Sequence, residues 1–109
     1  MGIHDNRYVG LACVGRVFVY SNNEKKPLKS RPDLKNFCEG TIDSFDWGCA
    51  TPECYQLGVA ILANEYGDEF AIKHCKEFTE SNICTLNEEK NWAIDSDDLD
   101  KFTFKIAAA

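Results

Sequence analysis

Two short segments near the start of the chain, Tyr8-Val9-Gly10-Leu11 and Val17-Phe18-Val19-Tyr20, are rich in β-branched and aromatic residues and read as strands. Between them, Cys13-Val14-Gly15-Arg16 contains a glycine free to take a positive φ, so a hairpin is the natural connection. Ser21-Asn22-Asn23-Glu24 is a polar turn. From Lys25 to Leu34 the chain carries Pro27 and Pro32, which hold it extended and irregular, with a short third strand at most near Pro27-Leu28-Lys29. Asn36 to Gly48 reads as a loop whose aromatics, Phe45 and Trp47, need burial and so tack it onto the core.

The pattern then turns helical. Thr51 can cap, Pro52 is preset for a first helical position, and Glu53 suits the positive end of the helix dipole. The helix is expected from Glu53 to about Tyr66, stopped by Gly67 as a left-handed cap. Leu57, Val59, Ala60, Ile61 and Leu62 make its middle apolar nearly all round, which marks the spine of the domain, and Gly58 with the small alanines admits a close neighbour. Asp68 can cap a second helix from Glu69 to about Ser81, with Ala71, Cys75 and Phe78 on one stripe and Phe70 and His74 adjoining. Asn82 to Asn91 reads as a connector anchored by Ile83 and Leu86, and Trp92-Ala93-Ile94 as a short extended anchor. Asp95 or Ser96 then caps a last helical turn or two through Leu99 and Phe102. The order predicts an α+β fold, a small antiparallel β-hairpin or sheet packed against a helix pair and a short C-terminal helix. Residues 1–106 are expected to form a single compact domain, with residues 107–109 a frayed tail.

Composition narrows the class. With 109 residues, 44% apolar and 28% charged, the chain is an ordinary globular domain, which excludes collagen and full-length disorder. Its longest nearly apolar run, Leu57 to Ala63, is far short of the roughly 20 residues that span a bilayer. The polar opening Met1 to Arg7 has no apolar signal core, and Asn6 stands where a myristoylation site wants Ser or Thr. The expected compartment is the cytoplasm, without membrane attachment, and there the six cysteines read as reduced thiols acting as small buried hydrophobes. Cys49-x4-Cys54 followed by His74-Cys75 is the arrangement nearest to a zinc site, but its spacing is looser than a finger or ribbon requires, so neither metal nor cofactor is expected. The net charge of −6 is unevenly spread: residues 1–36 hold seven basic residues against three acids, and the rest is strongly acidic. That sign disfavours non-specific nucleic-acid binding.

Several pieces resemble a known family. Arg7-Tyr8-Val9-Gly10, Arg31-Pro32-Asp33-Leu34-Lys35-Asn36, Phe45-Asp46-Trp47-Gly48, Gln56-Leu57 with Ala60-Ile61-Leu62-Ala63, and Trp92-x-Ile94 occur in an order similar to that of a family of small prokaryotic and mobile-element proteins of unknown function. The similarity covers about Arg7 to Phe102, and Phe-x-Trp-Gly and Gln-Leu-x-x-Ala-Ile-Leu-Ala are its specific motifs. The resemblance implies one compact domain with a central helix and implies no activity. This chain departs from the family pattern at Phe37-Cys38-Glu39, where a serine-containing stretch is usual, and at Cys49-Ala50-Thr51, where a glycine-rich one is.

The catalytic signatures are missing from the sequence. Neither phosphate-binding glycine pattern nor a Gly-x-Ser-x-Gly elbow occurs. His74 and Cys75 are helix neighbours and point about 100° apart. Asp95, Asp97, Asp98 and Asp100 lack the glycine and glutamate of a calcium loop, and read as acids at a helix start. As a helix-turn-helix, the second helix would carry three acids against two lysines, the wrong balance for DNA. What remains is a polar constellation on the irregular connection and the helix that follows: Arg31, Asp33, Asn36, Asp46 and Gln56, beside Phe45 and Trp47. A guanidinium fork, carboxylates and amides next to aromatics suit a peptide or small ligand. The same groups also suit structural hydrogen bonds pinning that connection to the helix, and this use outweighs the other.

The favoured reading is a small non-catalytic interaction module, with an unidentified protein partner bound at Arg31, Asp33, Asn36, Asp46, Trp47 and Gln56. One form of it is an acidic inhibitor of phage or plasmid origin, which a continuous acidic face would support. The alternatives are a small enzyme or ligand-binding domain with a pocket in the 31–56 region, and nucleic-acid binding through the basic first third. Clustering of Arg7, Arg16, Lys25, Lys26, Lys29 and Arg31 on one exposed face would favour the last. The sequence does not set an oligomeric state.

Overall fold

The computed structural model describes residues 6–34 and 44–108. Strands β1 (Asn6–Leu11) and β2 (Arg16–Ser21) pair antiparallel, with Val9 opposite Phe18 and Gly10 opposite Val17. Their turn closes through Gly15 at φ +64°, whose N–H donates to the Leu11 carbonyl at 2.8 Å.

The third strand, β3 (Glu24–Pro27), starts earlier than the prolines suggest. Asn22 and Asn23 both take positive φ, 52° and 66°. Asparagine tolerates that region, and two such residues make the tight turn that matches strand twist. Pairing with β2 therefore begins at once, Ser21 opposite Glu24, and ends at Pro27. The expected extended anchor at Trp92 is a true strand, β4 (Trp92–Asp95), antiparallel to the other side of β1. The sheet order is β3-β2-β1-β4. At Gly10 any Cβ would overlap the Trp92 indole, so the glycine is what lets that ring lie across β1.

Helix α1 (Pro52–Tyr66) follows an extended Thr51 and is buried along most of its length, as its all-round apolar middle requires. It ends at Gly67, at φ +99°, whose N–H reaches the Ala63 carbonyl at 3.0 Å. Helix α2 (Asp68–Phe78) runs back against α1 and closes in one π-turn over Thr79–Ile83, with the Cys84 N–H donating to the Thr79 carbonyl at 2.9 Å. Gly67 stands at the N-cap of α2, so Asp68 is its first helical residue and not the expected cap, and its carboxylate is engaged by Arg31. Gly58 on α1 faces buried Thr79, the close approach its small size predicts.

Helix α3 (Ser96–Ala108) is longer than the one or two turns expected, and it includes Ala107 and Ala108 of the expected tail. Its start is a reciprocal capping box: Asp95 Oδ1 accepts the Asp98 N–H at 3.0 Å, and Asp98 Oδ2 accepts the Asp95 N–H at 3.1 Å.

Strand alternation gives the sheet two unlike faces. Tyr8, Val17, Val19, Trp92 and Ile94 are buried, in one core with Leu57, Ile61, Leu62, Phe78, Ile83, Leu99 and Phe102. The result is an α+β fold, in which the described residues form a four-stranded antiparallel sheet with three helices. No helix among the described residues is long and apolar enough to cross a membrane.

Candidate functional site

The residues singled out from the sequence divide into two groups. Arg31, Asp33 and Gln56 come together. The Arg31 N–H donates to the Oε1 of buried Gln56 on α1. The guanidinium donates Nε and Nη2 to Asp33 at 3.1 and 2.9 Å, and Nη1 and Nη2 to Asp68 at 2.9 Å each. Bidentate geometry on two carboxylates holds the guanidinium above its ordinary pKa, chiefly through Asp33 and then Asp68, and holds the Asp33 carboxyl below the usual range. The fork is thus committed to the chain's own acids. Asp68 was legible only as a helix cap, because nothing local links it to a partner 37 residues away.

Asp46 and Trp47 belong to the second group, at the start of α1. The Trp47 indole is 3% exposed and packs edge-to-face on Trp92, with centroids 5.6 Å apart. Asp46 is half-buried, and its Oδ1 accepts the Trp47 N–H at 2.8 Å. Its Oδ2 lies 3.6 Å from Cys49 Sγ, which is 3.1 Å from Cys54 Sγ. The Thr51 hydroxyl faces both sulfurs, at 3.6 and 3.4 Å, instead of capping the helix. Burial pushes the Cys49 thiol up to about 11, helped by its hydrogen bond to Cys54. His74 and Cys75 do not join them: the His74 ring packs at a tilt against Phe70, with centroids 4.5 Å apart, and buried Cys75 bonds the Tyr55 carbonyl at 3.3 Å. Asn36 lies outside the described residues, as do His4 and Cys38.

A polar hub that sequence reasoning missed lies deeper. Glu65, 5% exposed, accepts from Tyr8 Oη at 2.8 Å and Asn6 Nδ2 at 3.0 Å through Oε1, and from Ser96 Oγ at 2.8 Å through Oε2. Asn64 Nδ2 donates to the Tyr8 oxygen at 2.8 Å. Burial, with the adjacent Glu65 carboxylate, holds the Tyr8 phenol above its ordinary pKa. The hub ties β1, α1 and α3 together. A glutamate just after the apolar middle of α1 was its one sequence signal.

The outward face of the sheet differs in kind. The pairing register puts Arg7, Tyr20 and Lys25 in one row across β1, β2 and β3, and Val9, Phe18 and Pro27 in the next. Arg16 lies beyond, opposite Leu11, and Asp95 stands beside Arg7 as the one acid at a strand position of this face among the described residues. Tyr20 is 38% exposed, and the Lys25 ammonium sits 4.3 Å above the Phe18 ring. Arg7, Val9, Tyr20, Ser21, Asn22 and Asn23 line a depression of about 620 Å³ there. A cleft of about 860 Å³ lies elsewhere, between the end of α2 and α3, and holds none of the sequence-predicted residues.

These features define a small α+β domain with one face of its sheet given to the core and the other presenting aromatic and basic groups. The chain belongs to the Family of unknown function (DUF6166), whose model matches residues 8–105. No curated protein and no solved structure matches it.

Proposed function

We propose that this chain is a non-catalytic cytoplasmic interaction module, and that its recognition surface is the outward face of the sheet. The observation that carries the reading is the set of Phe18 and Tyr20 on β2, flanked by Arg7, Arg16 and Lys25 on a face where Asp95 is the lone strand acid among the described residues. Aromatic residues and arginine are the enriched contact types of protein interfaces. The basic rim selects an acidic patch on the partner and steers its approach. The Arg31–Asp33–Asp68–Gln56 cluster then serves to hold the connection after β3 against α1 and α2, so that β3 stays in register.

The acidic-inhibitor form gains less support, because the exposed acids of α2 and α3 are interleaved with Lys73, Lys76, Lys101 and Lys105. A single-stranded nucleic acid is the second reading, favoured by the same pairing of aromatic and basic groups on a sheet. The overall charge of −6 opposes it.

Site-specific photocrosslinking tests the proposal. A photoreactive residue replacing Tyr20 is expected to give a discrete, nuclease-resistant protein adduct in the native host, and the same residue replacing Lys73 on α2 is not. A nuclease-sensitive adduct would move the assignment to nucleic acid. Equal or absent adducts from both positions would contradict the surface.

A further inference from the structure

Asp46, Cys49 and Cys54 converge at the N-terminal end of α1, their ligand atoms all within 4.8 Å of one another. We propose that they hold one thiophilic divalent cation of the zinc class, which fastens the segment before α1 to that helix. The site is separate from the sheet face and stands or falls independently of the interaction reading.

Three observations carry it. The first is distance. Zinc bonded at about 2.3 Å to sulfur and about 2.0 Å to oxygen in a tetrahedron sets edges of about 3.8 Å between sulfurs and about 3.5 Å between sulfur and oxygen. The carboxylate–Cys49 edge is 3.6 Å. The sulfur–sulfur edge is 3.1 Å and has to open by about 0.7 Å, while the Asp46–Cys54 edge, within 4.8 Å, closes toward about 3.5 Å on binding. The second is orientation. Asp46 Oδ1 is tied to the Trp47 N–H at 2.8 Å, which leaves Oδ2 turned to the sulfurs, the kind of outer support that aims a metal ligand. The third is charge. Two thiolates, a carboxylate and a dication sum to one negative charge, and this sits at the positive end of the α1 dipole. Cys54 is fully buried while Cys49 and Asp46 are half-buried, so an ion has an entry side and a dry back wall. Three protein ligands leave a fourth position for water.

Two sulfurs this close also suit a disulfide. Exchange-active thiols, however, sit among positive groups that stabilise the thiolate. Here a carboxylate stands beside them, and a second or third negative charge is tolerable only when a cation joins.

The test uses the full chain, stripped of metal, kept reduced with a phosphine, and titrated with Co²⁺ and then Zn²⁺. The proposal expects one Co²⁺ per chain, with sulfur-to-cobalt charge-transfer absorption and the visible bands of a tetrahedral site, displaced by Zn²⁺. Zn²⁺ should shield one thiol from alkylation in the folded chain, mapped by mass to half-buried Cys49, a readout that needs no variant. Cys49→Ser should abolish the charge-transfer band at one equivalent. Asp46→Asn, which keeps both thiols, should weaken Zn²⁺ at least about tenfold. Cys13→Ser, at an exposed thiol in the β1–β2 turn, should change nothing. The proposal is overturned if the reduced chain takes up no stoichiometric Co²⁺, or if binding survives both Cys49→Ser and Asp46→Asn unchanged. It is equally overturned if hydrogen peroxide links Cys49 to Cys54 in a chain that Zn²⁺ does not protect, which would make the pair a redox couple.

Discussion

Glu65 is the residue on which most of the buried polar chemistry depends. Its carboxylate gathers the Tyr8 phenol, the Asn6 amide and the Ser96 hydroxyl from three separate elements. Glu65→Ala strands those donors in the core and is expected to cost about 3 kcal/mol in urea unfolding. Tyr8→Phe removes two hydrogen bonds, the one donated to Glu65 and the one accepted from Asn64, and should cost about 2 kcal/mol, less than the loss of the carboxylate. Equal costs for the two would contradict the hub. Asp95 offers a test in pH. The Asp98 N–H, first among its partners, holds the Asp95 carboxyl below the usual range. A carboxyl with a depressed folded pKa stabilises the protein above its unfolded value, near about 3.9, and loses that contribution as pH falls through the folded one. The stability gap between the native chain and Asp95→Asn should therefore be present at neutral pH and close in acid below about pH 4. A gap that widens in acid would reverse the assignment.

Helix α1 meets the π-turn closely at Gly58. A Cβ at position 58 would overlap the Thr79 hydroxyl. Gly58→Ala should destabilise by about 2 kcal/mol, although alanine is the better helix former by about 1 kcal/mol. Adding Thr79→Ala should recover much of the loss, a coupling that a double-mutant cycle would measure and that simple additivity would refute. The same scale separates what the sequence disclosed from what it withheld. Local chemistry was legible: the first hairpin, the start of α1 at Pro52, its stop at Gly67, and the small residue at 58 awaiting a neighbour. Features that depend on distant partners were not. Trp92–Asp95 is too short to announce a strand until β1 offers its free edge. Asp68 looks like a cap until Arg31, 37 residues away, claims it. The third strand is the exception, since Asn22-Asn23 carries the turn signal locally but Pro27 draws attention further along. Of the candidate site, the residue types were legible and their grouping was not: Arg31, Asp33 and Gln56 lock to one another and to Asp68, whereas Asp46 faces the cysteines.

At the scale of the whole molecule, the charge asymmetry along the chain becomes an asymmetry between layers. The basic first third supplies β1 to β3, whose outward face carries Arg7, Arg16 and Lys25, and the acidic remainder supplies α2 and α3. Because those basic side chains lie on the outward face, the charge reversals Arg16→Glu and Lys25→Glu should each leave stability within about 0.5 kcal/mol while removing the partner. Loss of both stability and partner would mean the face is structural. The most direct test of the account is hydroxyl-radical footprinting of the chain alone and with the partner captured at position 20. Tyr20 on the sheet and Phe104 on α3 are both exposed aromatics, 38% and 78% accessible, and each reports on its own layer. The account predicts that oxidation of Tyr20 and Phe18 falls several-fold in the complex while that of Phe104 is unchanged. Protection of Phe104 with Tyr20 left reactive would contradict it.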